Sequence, residues 1–178
     1  MTRAGGDPQL SAHWKLRLGA KTKPRIGLVW SGSIDHAIDY NRSIPLAALV
    51  SMLPVGFDYV SLQKEVRDSD WSVLNGNSSI RQFSDEIIDF ADTAALCGLM
   101  DLVISVDTSV AHLSGALGTR TWILLPFVPD WRWLLDRIES PWYPSVRLYR
   151  QSSDGDWDSV LQEVKADLLS TLIAVQSP

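Results

Sequence analysis

The chain has a single cysteine, Cys97, among its 178 residues. One thiol cannot form an intramolecular disulfide, and such scarcity is typical of proteins from a reducing compartment. Cys97 stands among alanines and leucines, which predicts a buried side chain rather than a reactive thiol. We therefore expect a cytoplasmic protein.

Long apolar runs and excess basic charge are also lacking. No stretch approaches the roughly 18–20 apolar residues that cross a bilayer, and residues 1–8 lack the apolar centre of a signal peptide. The 21 Asp and Glu residues outnumber the 16 Lys and Arg residues, which gives a net charge of −5. Because general nucleic-acid binding needs a basic face, nucleic acid is not an expected partner.

Signatures of common cofactors are missing as well. Neither G-x-G-x-x-G nor G-x-x-x-x-G-K-[ST] occurs, which removes the main support for dinucleotide or P-loop binding. His13, His36 and His112 are far apart and have no partner at metal-ligand spacing, so we expect no metal. The D-x-D sequence at residues 68–70 resembles a metal motif of some sugar transferases, but its position before Trp71 favours a helix start.

Tryptophan, by contrast, is abundant, with 8 in the chain. Trp122, Trp131, Trp133 and Trp142 fall within one short stretch. Trp131 and Trp133 either line a cleft, where they stack on a base or sugar, or pack in a core or domain interface. The large apolar area of the indole ring favours core or interface packing.

Apolar segments of strand length alternate with amphipathic helical segments along the chain. We predict strands at residues 25–30, 57–62, 80–83, 102–106, 121–125 and 146–149. We predict helices at residues 10–18, within residues 63–75 and at residues 131–136. Another helix begins with Pro45 as its first helical residue, and one runs from the caps Asp92 and Thr93 to about residue 100. Two more helices begin at residues 107 and 156. This alternation predicts the α/β class, with a Rossmann-like parallel sheet and helices on both faces.

Two further segments stand outside this pattern. Residues 1–8 are polar, and we expect them to be disordered. The polar loop at residues 34–43 is long for a connection between a strand and a helix, and long loops in compact domains are often functional.

The most informative segment is the strand Leu102–Val106, which leads through Asp107, Thr108 and Ser109 into a helix. A helix N-terminus offers unpaired N–H groups and about half a positive charge. In α/β proteins, phosphates bind where such a helix faces the carboxyl end of a strand. His112 follows Thr108 by one turn, so together these residues predict a pyrophosphate site. Asp107 either binds a sugar or ribose hydroxyl or caps the helix.

Other polar residues follow the first two predicted strands, at the same edge of the sheet. Ser31 and Gly32 form a turn in which glycine permits close backbone approach, although one glycine alone is more often structural. Arg42 ends the long polar loop, either pairing with a phosphate or lying in solvent. Gln63 either binds a base or ribose or belongs to a polar loop.

Several of these segments together resemble one family. The segment at residues 107–113 is similar to the D-T-[GS]-x-x-H motif of the heptosyltransferase-like glycosyltransferases, family 9. The wider pattern resembles a bacterial group in which tetratricopeptide repeats precede such a domain. Its other parts are residues 27–32, 41–46, 61–64, 89–96, 129–135 and 141–144.

The resemblance implies a GT-B architecture, in which two Rossmann-like domains enclose the active site. This chain resembles the C-terminal half of such a fold. Residues 1–24 would be a tail and interdomain helix or linker, and residues 25–178 would be the nucleotide-sugar-binding domain. The N-terminal half receives the acceptor and is expected to supply the base. We therefore expect no catalytic residue in this chain and no activity from it alone.

The resemblance also implies roles for individual residues. Asp107, Thr108 and His112 would contact the diphosphate and sugar of the donor, Arg42 its phosphates and Gln63 its nucleoside. Ser31, Gly32 and Ser109 complete the expected donor-binding group. Family members usually have glycine where Ser109 stands, so the donor sugar is either a hexose or a heptose.

The implied reaction is an inverting, metal-independent transfer from a nucleoside diphosphate sugar. A non-catalytic module that binds a nucleotide or a partner is an alternative, and a nucleotide-sugar epimerase is a weaker one. Self-association through the exposed cleft face is also open, because an apolar patch without its partner domain promotes association.

Overall fold

The computed structural model describes residues 7–33 and 39–176, with side chains up to Thr171. The expected disorder of residues 1–8 therefore lies largely outside the described residues, as do the first half of the long polar loop and His36. The described residues form six strands and seven α-helices. The strands are β1 (Arg25–Val29), β2 (Asp58–Ser61), β3 (Ile80–Arg81), β4 (Leu102–Val106), β5 (Thr121–Leu125) and β6 (Val146–Arg150). The helices are α1 (Pro8–Leu18), α2 (Asp39–Arg42), α3 (Leu46–Met52), α4 (Asp68–Gly76), α5 (Phe90–Gly98), α6 (Ser109–Ala116) and α7 (Trp157–Gln176).

All six strands pair in parallel, in the order β3-β2-β1-β4-β5-β6. This is the strand order of a Rossmann-like sheet, so the predicted fold class is confirmed. The order reverses between β1 and β4, which pair from Ile26 opposite Leu102 to Val29 opposite Ser105. Ligands of such sheets bind in the crevice beyond the carboxyl ends of the strands at this switch point.

Alternate side chains of each strand enter different cores, because successive residues point to opposite faces of a sheet. Ile26 and Leu28 of β1 join a core with buried residues of α3, α4 and α7. Val29 joins the opposite core, which contains residues of α1 and α5. A third cluster beneath α6 contains Ala111 and Trp133.

Helix α1 packs on this sheet domain through Trp14, which is fully buried. Its Nε1 donates a 2.9 Å hydrogen bond to Asp92 Oδ1 on α5. Burial raises the pKa of Asp92, but hydrogen bonds from Trp14 and from the N–H groups of Ile88 and Asp89 lower it. Together these hydrogen bonds outweigh the effect of burial, so the pKa lies below its ordinary value. The first 24 residues thus include a helix that is held by the sheet domain.

Three local predictions need correction. Pro45 is the N-cap of α3 and not its first helical residue. Asp89, rather than Asp92 and Thr93, caps α5; its carboxylate accepts from Ala91 and Asp92 N–H groups in a capping box. A longer helix at residues 131–136 is not formed: Trp131–Trp133 make one 3₁₀ turn, because residues 134 and 136 have φ of 53° and 54°, outside the helical region.

Two structural interpretations are confirmed. Asp70 of the D-x-D sequence lies in the first turn of α4 and accepts a 2.8 Å hydrogen bond from Trp30 Nε1. Cys97 is fully buried, and burial raises the pKa of its thiol to about 12.

Among the helices of the described ranges, none combines the length and apolarity that a membrane crossing requires.

Candidate functional site

Two cavities open at the carboxyl edge of the sheet. The β2-side cavity, of about 560 Å³, lies between the ends of β1 and β2 and the start of α5. The aromatic cavity, of about 930 Å³, lies between the start of α6 and the segment that follows β5. Both volumes fall within the range of small-molecule sites. Arg42, Thr108 and Ser109 line both cavities, so they mark the junction.

All eight residues predicted from the sequence line these cavities. Ser31, Gly32 and Gln63 line the β2-side cavity, and Asp107 and His112 line the aromatic cavity. The remaining three are the residues at the junction. The fold therefore brings together residues that are up to 81 positions apart, from Ser31 to His112.

Arg42 spans the switch point of the sheet. Its Nη1 donates a 3.0 Å hydrogen bond to the carbonyl oxygen of Asp107, just beyond β4. Its Nε donates at 3.0 Å to Asp39 Oδ1, a buried carboxylate that also pairs with Arg67 and Ser43. The guanidinium is thus held by α2 and the end of β4 rather than free in solvent.

Gly32 makes room for this arginine. A Cβ atom at Gly32 would lie 2.7 Å from Arg42 Cζ and would also meet the Asp39 carboxylate. The glycine therefore permits close approach of a side chain of this protein, whereas the sequence suggested close approach of a ligand.

The N-terminus of α6 lies beside Arg42. Thr108 is the N-cap, with its hydroxyl 3.1 Å from Ser105 Oγ. Within the described residues, its side chain makes no capping hydrogen bond to the first turn of α6. First-turn N–H groups that lack a capping side chain are available to an anion, and the helix dipole favours negative charge there.

His112 projects from α6 into the aromatic cavity. Its Nε2 lies 3.8 Å from Asp107 Oδ1, and its Nδ1 lies 3.3 Å from the hydroxyl of Tyr143. The imidazole stacks on Trp133 with 4.9 Å between ring centroids. A cation, a carboxylate and a stacked imidazole thus surround one helix N-terminus.

The side-chain amide of Gln63 forms hydrogen bonds within the protein itself. Its Nε2 donates to the carbonyl oxygens of Ser31 at 3.0 Å and Glu65 at 3.1 Å, and its Oε1 accepts from the N–H groups of Trp30 and Ser31. Because both ends of the amide are used, Gln63 ties together the ends of β1 and β2. The buried Ser31 Oγ has no hydrogen-bond partner among the described residues.

Residues outside the predicted donor-binding group also line the two cavities. Lys64 lines the β2-side cavity and donates from Nζ to the carbonyl oxygen of Ile88. Trp131 and Trp142 line the aromatic cavity and are 70% and 57% exposed, whereas Trp133 is fully buried. Their spacing in the sequence does not distinguish a core tryptophan from one that lines a cavity.

Within the described ranges, no group of three or more His, Cys, Asp or Glu side chains is placed to hold a metal ion.

Comparisons with known proteins agree with this fold. No protein-family model matches the chain. Protein FlbA of Caulobacter vibrioides is 29% identical over 168 residues, which cover 91% of this chain and 28% of FlbA. The chain thus spans little more than a quarter of that relative. The structure of E. coli ADP-heptose LPS heptosyltransferase II superposes with a TM-score of 0.60 and 14% identity, covering 97% of this chain and 54% of the enzyme. The chain is accordingly a Rossmann-like domain whose fold is similar to that of about half of this enzyme.

Proposed function

We propose that this chain is the donor-binding half of an inverting, metal-independent glycosyltransferase. One observation carries the proposal: Arg42 and the N-terminus of α6 meet at the switch point, where the two cavities join. A guanidinium and free helical N–H groups are the donors that a diphosphate requires. The diphosphate of a nucleotide sugar would lie at this junction, with its two ends in the two cavities.

The lining of the cavities supports an assignment of the two ends. Leu62, Phe90 and Val110 give the β2-side cavity apolar walls that suit a nucleoside, and Lys64 adds positive charge. Asp130 and Arg132 of the aromatic cavity provide hydrogen-bonding groups for sugar hydroxyls beside the exposed tryptophans. The nucleoside is therefore assigned to the β2-side cavity and the sugar to the aromatic cavity.

The residues at the junction would stabilise the leaving group. As an acceptor hydroxyl attacks the anomeric carbon, the bond to the diphosphate breaks and negative charge grows on its oxygen. Arg42, the N-terminus of α6 and His112 would stabilise that charge. Asp107 is available to accept from a sugar hydroxyl.

The rest of the proposed enzyme lies outside this domain. In the proposal, the acceptor site and the base belong to an N-terminal GT-B domain, with residues 1–24 leading into the domain formed by residues 25–178. Cytoplasmic location and a sugar other than heptose belong to the proposal too. The exposed Ser109 side chain at the junction supports the second point, because it adds bulk where the diphosphate meets the sugar.

Titration calorimetry with ADP, UDP and GDP tests donor binding by this chain. We expect weak binding of at least one of them, and a loss of about tenfold in affinity for His112→Ala, since a hydrogen bond to a charged group contributes about 1.5–3 kcal/mol. His13→Ala is the matched control, because His13 lies on α1 and lines neither cavity. Absence of binding at millimolar concentrations of all three would refute the proposal. Nucleotide binding without transfer, when the chain is joined to the proposed N-terminal domain, would favour the non-catalytic module.

Gly32→Ala tests whether Arg42 must lie where the structure places it. The added Cβ would displace the guanidinium, so we expect a loss of about tenfold in nucleoside diphosphate affinity. The free energy of unfolding should fall by about 1–3 kcal/mol, because the added Cβ also meets the buried Asp39 carboxylate and both side chains must shift. The measurements are calorimetry and urea unfolding.

Gly76→Ala provides the control for this substitution. Gly76 ends α4, and a Cβ there would meet nothing within 4 Å. Nucleotide affinity should not change. Equal affinities for the two alanine variants would show that the position of Arg42 does not matter for binding.

A further inference from the structure

His112 contacts two aromatic side chains from the segment between β5 and β6. Trp133 stacks on the imidazole, with 21° between the ring planes, and the Tyr143 hydroxyl lies 3.3 Å from Nδ1. The other ring nitrogen, Nε2, is the one near Asp107. We propose that Tyr143 is a positioning residue that orients His112 toward a bound diphosphate. The inference rests on the proposed function.

The orientation of the ring decides which nitrogen serves the ligand. In a neutral imidazole one nitrogen carries the proton and the other accepts. When the Tyr143 hydroxyl donates to Nδ1, the proton resides on Nε2. Nε2–H is then a donor on the side of the ring where Asp107 and the start of α6 lie. Trp133 restricts tilting of the ring, since the two planes stack closely.

Tyr143 is itself held in place by α6. A Cβ atom at Gly115 would lie 2.8 Å from Tyr143 Cγ, so the tyrosine ring packs directly on the helix backbone. His112 and Gly115 are three residues apart and therefore neighbours on one face of α6. The ring of Tyr143 thus lies along this face, with its hydroxyl at His112. At the other end, the N–H of Tyr143 donates to Ser140 Oγ at 3.3 Å.

This arrangement is a pre-organised contact rather than one that forms on binding. A group that is oriented before the ligand arrives loses less freedom when it binds. Removing the tyrosine hydroxyl should therefore weaken binding only through His112. A tyrosine that merely filled space would act independently of the histidine.

A double-mutant cycle separates these possibilities. Calorimetry would use the tightest binder among ADP, UDP and GDP with the wild type, Tyr143→Phe, His112→Ala and the double variant. We expect Tyr143→Phe to lower affinity about three- to tenfold in the wild type, the effect of one hydrogen bond. In the His112→Ala background it should have no further effect. Equal losses in both backgrounds, or no loss in either, would overturn the proposal.

A second measurement needs no ligand. In the ligand-free protein, the ring current of Trp133 should shift the imidazole C–H signals of His112 in proton–carbon NMR spectra, and His112→Ala assigns those signals. Tyr143→Phe and Gly115→Ala should both move them and leave the signals of His13 in place. Unchanged His112 signals in Tyr143→Phe would contradict the positioning contact. Lack of nucleotide binding by the wild type would instead contradict the proposed function.

Discussion

Replacing Arg42 with alanine is expected to weaken nucleoside diphosphate binding by about 10- to 100-fold. Hydrogen bonds to charged groups contribute about 1.5–3 kcal/mol, and each 1.4 kcal/mol is about tenfold in affinity. The effect should be large because Arg42 lines both cavities at their junction and is already held by Asp39 and the Asp107 carbonyl. A pre-positioned guanidinium loses little side-chain freedom on binding. Calorimetry with the tightest of the three nucleotides measures the loss.

Two further variants make this prediction specific. Arg42→Lys keeps the charge but loses the planar fork, so its affinity should lie between those of the wild type and the alanine variant. Arg67→Ala likewise removes a guanidinium that pairs with Asp39, but Arg67 lines neither cavity. It should therefore change affinity much less. Equal losses for Arg42→Ala and Arg67→Ala would indicate a general electrostatic effect and contradict a direct phosphate contact.

Replacing Trp14 is expected to cause a large loss of stability. Trp14 is fully buried, packs edge-to-face on Phe83 at 5.7 Å and donates to Asp92. Trp14→Ala should lower the free energy of unfolding by about 3–5 kcal/mol, the usual result for a buried aromatic residue. Trp14→Phe keeps most of the apolar area but removes the donor to a buried carboxylate, so we expect a loss of about 1–3 kcal/mol. Urea unfolding measures both.

The loss in Trp14→Phe should depend on pH. The folded-state pKa of Asp92 is lowered, so its charged form stabilises the fold above the unfolded pKa of about 3.9. That contribution disappears as the pH falls through the folded-state pKa. Without the indole donor the pKa of Asp92 rises, so Asp92 is protonated at a higher pH in the variant than in the wild type. The stability difference from the wild type should therefore narrow as the pH falls from the folded-state pKa of Asp92 in the variant to that in the wild type.

Two controls apply to the Trp14 variants: a substitution on the same helix and a comparison of neutral with acidic pH. Leu16→Ala changes a side chain that is 83% exposed, and its effect should stay within about 0.5 kcal/mol. A Trp14→Phe difference that is the same at neutral and acidic pH would show that the bond to Asp92 contributes nothing. A stable Trp14→Ala variant would show that α1 does not belong to the folded domain.

Local patterns were sufficient to predict the α/β sheet and the turn from β4 into α6. Apolar runs of strand length and helical spacing are properties of neighbouring residues, and parallel strands follow from their alternation with helices. Where local signals competed, the prediction was less accurate. Asp89 and Asp92 are both capping residues in type, and only the fold decides that Asp89 caps α5 while Asp92 binds Trp14.

The sequence by itself therefore determined the fold class and the edge of the sheet where the candidate site lies. Only the tertiary structure decided the roles of single polar and aromatic residues. Arg42 reaches a carbonyl 65 residues away, and Gln63 uses its whole amide to join two strand ends. Trp131 lines a cavity while Trp133, two residues on, is buried under His112. These roles depend on distances between residues remote in the chain, which local periodicity does not encode.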